Sequence, residues 1–204
     1  MSKSSFRDLC FPPNEPLFGK LTPRAFFSPK GVFGLRNVVF MAMMLAIATI
    51  LSLPGLTIYI SPTFKAISFS YFPGVLVAAV CGPWAGIVYG VAADTLGYIV
   101  NPAGGYFPGY ALSEAVTYFI FACFLYKRNF SLPRVFFAHL LKLIIVIFGL
   151  NAIWMSYFGV AVAAFFTGIR LINNIVQFPF HVALILVVGS QVLRLFRRYY
   201  LKKA

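Results

Sequence analysis

Acidic side chains are nearly absent from this chain. Its 204 residues hold 4 Asp and Glu against 17 Lys and Arg, and charged residues of both signs make up only 10%. Ordinary globular chains carry about 25% charged residues, so the polar surface is too small to coat a soluble domain. Cysteine is also scarce. Cys10, Cys81 and Cys123 are widely separated, with no CxxC and no His/Cys cluster, which leaves metal and redox centres without support. Cys81 and Cys123 sit in or near apolar runs and read as small packed hydrophobes. The nucleotide loop GxxxxGK[ST] is missing, so the chain cannot hydrolyse ATP itself, and neither HExxH nor GxSxG occurs. Asp94 has no second intramembrane aspartate, which excludes a two-aspartate protease. Charges and prolines interrupt the first thirty residues, where a secretory signal would need an uninterrupted apolar region.

What is abundant is apolar surface: 61% of residues are hydrophobic and the mean hydropathy is +0.88. That composition is the mark of an integral membrane protein. A spanning helix takes about 20 largely apolar residues, and the apolar material allows roughly six. The segments are long and rich in Leu, Ala, Val and Phe, which points to helices rather than to the short alternating strands of a barrel. The expected architecture is therefore an all-α bundle of six transmembrane helices. The spans are expected near residues 35–53, 66–80, 82–100, 109–126, 135–157 and 163–195. Residues 1–34 form a basic, proline-broken tail with interspersed phenylalanines, 35–195 the membrane domain, and 196–204 a basic C-terminal tail.

The net charge is +13. In a soluble chain that would suggest nucleic acid, but no basic face or recognition motif accompanies it. The positive charge lies in the two tails and in the loop holding Lys127, Arg128 and Arg134, whereas the connections after spans one, three and five carry only Lys65. By the positive-inside tendency both termini are cytoplasmic. The excess charge then serves topology and anionic lipid headgroups rather than nucleic acid.

That orientation gathers the unusual polar residues at one depth, towards the outside. Asp94 ends a stripe of Gly82, Gly86 and Gly90 spaced four apart, so it is expected to face protein rather than lipid. Glu114 opens span four, and the connection between the two acids carries Tyr98, Tyr106, Phe107 and Tyr110. Arg170, Asn174 and Gln177 share one helical face by their spacing, and Lys65 lies in the first outer connection. Arg170 is expected to serve the acids as counter-charge or to join them as a co-ligand. Lys142 is expected to snorkel back to the interface, and His139 reads as a packed or interfacial histidine rather than a ligand. The set describes a pocket for a flat, partly aromatic ligand that is polar at both ends. A carboxylate can accept two hydrogen bonds from an amino-pyrimidinone edge, tyrosines can stack on a ring, and a guanidinium can clamp a ligand carboxylate. A pterin carrying a glutamate tail is compatible with all three. A membrane enzyme using Asp94 or Glu114 as acid or base, or a structural subunit in which the charges merely neutralise one another, fits the same residues.

The pattern Ala42-Met-Met-Leu-Ala46 in span one, GPWAGIVYGVAADTLGY (82–98), NPAGGYFPGYALSE (101–114) and RLINNIVQFP (170–179) together resemble the substrate-binding S components of energy-coupling factor (ECF) transporters, and within them the folate-specific family. The resemblance covers about residues 35–195 and leaves out the N-terminal tail. It implies six helices, an outward-facing vitamin site closed by the outer loops, and no cofactor. It further implies a partner module in the bacterial plasma membrane, made of a transmembrane coupling protein and two cytoplasmic ATPases. Ala42 and Ala46 would contact the coupling protein, and the whole subunit would topple to carry the site inward. Folate is the implied ligand, and another vitamin such as pantothenate or thiamine would suit the same architecture.

Overall fold

The computed structural model describes residues 34–53, 58–61, 64–67, 69–100, 106–128, 130–158 and 169–192. Of the tails expected at residues 1–34 and 196–204, all but Gly34 lies outside these. Among the described residues the chain forms six helical rods: α1 Leu35–Leu51, α2 Phe72–Cys81, α3 Pro83–Val100, α4 Pro108–Leu125, α5 Leu132–Tyr157 and α6, which begins at Ile169. The all-helical architecture read from composition is the one observed. Prolines stand at four of the starts, Pro83 being the first residue of α3. Pro73, Pro108 and Pro133 stand in the first turns of α2, α4 and α5, where a missing N–H costs nothing and the fixed φ suits a helix.

The second span differs from the expectation. It begins at Phe72 rather than near Ala66, because Ile58–Ser61 (β1) and Phe64–Ile67 (β2) pair as an antiparallel hairpin. Ile58 lies opposite Ile67, Tyr59 opposite Lys65, and Ser61 opposite Phe64. Aromatic and β-branched residues favour a strand here, and an apolar run too short for its own span can be read as helix or strand.

Two rods depart from α geometry. α5 is α-helical to Lys142, π-helical over Leu143–Leu150, and α-helical again over Asn151–Tyr157. α6 is α-helical over Ile169–Leu184, with Pro179 inside it, and continues as a π-helix over Ile185–Gly189. Wider i→i+5 turns change which face the residues beyond them present.

α4 and α2 form the centre. Val75, Val77, Ala78, Phe121, Ala122 and Leu125 are completely buried there, with Tyr89 and Tyr118 crossing edge to face at 5.4 Å. The glycine stripe of α3 lies against α4 as the spacing predicts. A Cβ at Gly90 would stand 2.7 Å from the Ala115 nitrogen and 2.8 Å from the Glu114 carbonyl carbon, so only glycine allows this approach. Gly82, at φ 97°, makes the tight turn between α2 and α3. Cys81 is buried and Cys123 half-buried, both as free thiols.

The outside of the bundle is as apolar as its core. Val39, Met43, Ile50, Val91, Ile144, Ile153 and Val187 are all exposed. Water would penalise such a surface, and hydrocarbon does not. Pro108–Leu125 and Leu132–Tyr157 are each long and apolar enough to cross a bilayer.

Candidate functional site

The close α3–α4 seam has a consequence at one end of the bundle. It brings the last turns of α3 and the first turns of α4 side by side, so Asp94 and Glu114, twenty positions apart in sequence, line one cavity. Its volume is about 350 Å³, within the range of roughly 300–1,000 Å³ found for small-molecule sites. Tyr98, Tyr106, Phe107 and Tyr110 are in its wall. The glycine stripe therefore does what its spacing foretold: it turns Asp94 into the protein.

The rest of the wall was not legible as site. α1 supplies Ala48, Thr49 and Ser52, the entry to α2 supplies Ser70 and Tyr71, and α4 adds Tyr118 one turn below Glu114. Thr49 and Ser52 hydroxyls donate to the backbone carbonyls of Leu45 and Thr49, at 2.8 and 2.7 Å. Small hydroxyl residues inside an apolar run look like ordinary helix content in sequence. Only the packing of α1 against α2 and α3 makes them wall.

Glu114 is held by its own helix and by a neighbour. The Tyr118 hydroxyl donates to its carboxylate, and Lys142 of α5 and Asp94 of α3 are both in electrostatic reach. The sequence reading gave the acids Arg170 as counter-charge and sent Lys142 out to the interface. Among the described side chains, the half-buried Lys142 is the cation in electrostatic reach of Glu114. A lysine this far inside a span snorkels only when no anion is nearer than the headgroups, and here α4 supplies one. Arg170 lies in the first turn of α6 and Lys65 in β2, but both side chains are outside the described residues. Asn174 and Gln177 are half-buried on α6 and are not among the residues lining the cavity.

The aromatic rim is knitted together. Tyr98 and Tyr106 rings lie 5.2 Å apart, and the Tyr106 and Thr95 hydroxyls are 3.2 Å apart. Phe107 packs against Tyr110 at 6.0 Å and Trp154 at 5.5 Å. Behind its own place in the wall, Tyr71 packs tilted against His181 at 4.5 Å and edge to face with His139 at 6.2 Å. His139 is buried, so it is packed rather than interfacial. Among the described residues no group of three or more His, Cys, Asp and Glu could hold a metal ion.

On α1, Ala42 and Ala46 are exposed, together with Met43 and Ile47. This is an apolar face with no protein over it among the described residues.

Residues 36–189 match the family described as ECF transporter, substrate-specific component. The chain belongs to that family. One relative is the folate transporter FolT of Clostridium novyi (strain NT), 32% identical over 130 residues, a match covering 63% of this chain and 75% of that protein. Among solved structures, a crystal structure of FolT bound with folic acid superposes with a TM-score of 0.64 at 27% identity, covering 78% of this chain and 91% of the other. The ECF substrate-specific components are membrane transport subunits and not enzymes, so the reading of Asp94 or Glu114 as a catalytic acid or base falls.

Proposed function

We propose that this ECF substrate-specific component captures folate from outside the cell and delivers it inward. The observation that carries the reading is the cavity: two carboxylates set among aromatic rings at one end of the bundle, in a chain whose solved relative holds folic acid. The chemistry is complementary. The pterin offers adjacent donors on its amino-pyrimidinone edge, and a carboxylate is acceptor-only with two oxygens. Glu114, with Tyr118 and Lys142 holding its charge and orientation, is the better placed of the two acids for that edge. Tyr98, Tyr106, Phe107 and Tyr110 supply faces for stacking. Arg170 and Lys65 would take the carboxylates of the glutamate tail, with Asn174 and Gln177 on the same helix as Arg170.

Transport follows from the family. The bacterial plasma membrane holds residues 35–195, with the basic tails and the 127–134 loop on the cytoplasmic side. The energy comes from two ATPases, reached through a transmembrane coupling protein, which Ala42 and Ala46 would meet. Small residues four apart let a partner helix come close without displacing side chains.

Equilibrium binding of folate, thiamine and pantothenate to the purified chain tests the reading. Saturable folate binding is expected, with no binding of the other two under the same conditions. Glu114→Ala should abolish folate binding while the protein remains monodisperse. A chain that binds thiamine or pantothenate and ignores folate would sink the proposal.

A further inference from the structure

Trp154 lies outside the cavity, yet it touches the residue that forms the cavity's wall. It stands on the last α-helical segment of α5, Asn151–Tyr157, directly after the π-helical stretch Leu143–Leu150. From there its indole Nε1 donates to the Ser113 hydroxyl of α4 at 3.1 Å. Ser113 is buried, and its hydroxyl donates in turn to the Gly109 carbonyl at 3.2 Å. The indole is thus tied to the first turn of α4, immediately after Phe107. The Phe107 ring packs edge to face on the indole at 5.5 Å while also lining the cavity. No other side chain fits between them, because a Cβ at Gly109 would strike both Phe107 and the Trp154 indole. One residue further on, the Tyr110 hydroxyl donates to the Met155 sulfur at 3.4 Å. Two successive α5 residues therefore hold two residues of the aromatic wall.

We propose that Trp154 is a positioning residue for ligand binding: through its hydrogen bond to Ser113 it fixes the ring against which Phe107 rests, and so sets the shape of the cavity wall. This rests on the reading of the cavity as the folate site. The π-helical stretch is part of the device. Its wider turns determine which face Asn151–Tyr157 shows to α4, and π-turns inside α-helices are frequent at functional sites. A wall held in its bound geometry before the ligand arrives spares the ordering cost at binding. Among variants of one site, such losses emerge chiefly as faster dissociation.

The test uses the full chain in detergent with folic acid as probe, comparing wild type, Trp154→Phe, Ser113→Ala and the double variant. Phenylalanine keeps an aromatic ring beside Phe107 while removing the indole N–H and part of the bicycle, and Ser113→Ala removes the acceptor with the indole left whole. Each single variant should weaken binding ~3–10-fold, the range expected for one hydrogen bond, with a faster off-rate and an unchanged on-rate. The double variant should be no weaker than the worse single, because both substitutions remove the same contact. Thermal unfolding without ligand should leave Trp154→Phe near wild type. The proposal is overturned if Trp154→Phe binds folic acid as wild type does. It is equally overturned if the two losses multiply, or if binding falls only in step with thermal stability. If wild type itself binds no folic acid, the folate reading fails and this inference fails with it. Wild-type binding with indifferent variants removes this inference alone.

Discussion

α1 and α2 are both apolar on every side, yet they live in opposite surroundings. α2, over Phe72–Cys81, buries Pro73, Gly74, Val75, Leu76, Val77, Ala78, Ala79 and Cys81. In α1, over Leu35–Leu51, only Phe40 and Ala48 are buried among the described residues, while Val39, Met43, Ile47 and Ile50 stand exposed. In water an exposed face of that kind would mark a docking site or an aggregation hazard. In a bilayer it is at ease, because lipid tails are as apolar as the side chains they touch. Hydrophobicity therefore says that both helices are in the membrane and nothing about which is a post and which is a surface. The post carries the fold. The surface is left for whatever comes to it, and α1 holds its other edge, Ala48, Thr49 and Ser52, towards the cavity.

The contrast can be broken in three ways, taken from the largest effect to the smallest. Gly90→Leu attacks the close α3–α4 seam beside α2. With the Ala115 nitrogen 2.7 Å from where a Cβ would be, overpacking against backbone leaves no rotamer to escape into. We expect loss of monodisperse protein on size-exclusion chromatography, and a well-behaved Gly90→Leu chain that still binds ligand would show that the seam is looser than described. Next, matched truncations compare the two helices directly. Leu76→Ala in α2 should cost about 2–5 kcal/mol, whereas Ile47→Ala on the exposed side of α1 should stay within about 0.5 kcal/mol. Denaturation of the two in the same detergent gives the comparison, and equal losses would erase the distinction between post and surface. Last, Ala46→Trp should leave both stability and ligand affinity unchanged, since the side chain points away from protein, while folate uptake in cells with the complete transporter should fail. Loss of binding in that variant would contradict a docking role for this face.

Much of the site was legible before any fold was known, for a simple reason. Carboxylates within an apolar chain are so costly that their positions alone mark a candidate site, and Asp94 and Glu114 both line the cavity. The aromatic residues between them follow by proximity in sequence. Lys142 was misread because snorkelling is the default for a lysine with no visible anion, and its anion belongs to another helix. Thr49, Ser52, Ser70, Tyr71 and Tyr118 gave no signal, since hydroxyls and rings at those places are common in any membrane helix. Trp154 was silent for a further reason: its role passes through Ser113 and Phe107, and the face it shows depends on a π-helical stretch whose sequence, LIIVIFGL, reads as plain apolar helix.

The sequence by itself determined the class of environment, the helical architecture, the close α3–α4 approach through the glycine stripe, and the pair of acids at one depth. These follow from composition, from period and from the cost of charge in hydrocarbon, all of which are local properties of the chain. Tertiary structure alone decided which apolar faces are buried, that Lys142 comes within electrostatic reach of Glu114, and which hydroxyls and rings complete the cavity. In a membrane the hydrophobic effect does not distinguish a core face from a lipid face. Packing alone makes that choice, and packing is a relation between helices that no single segment contains.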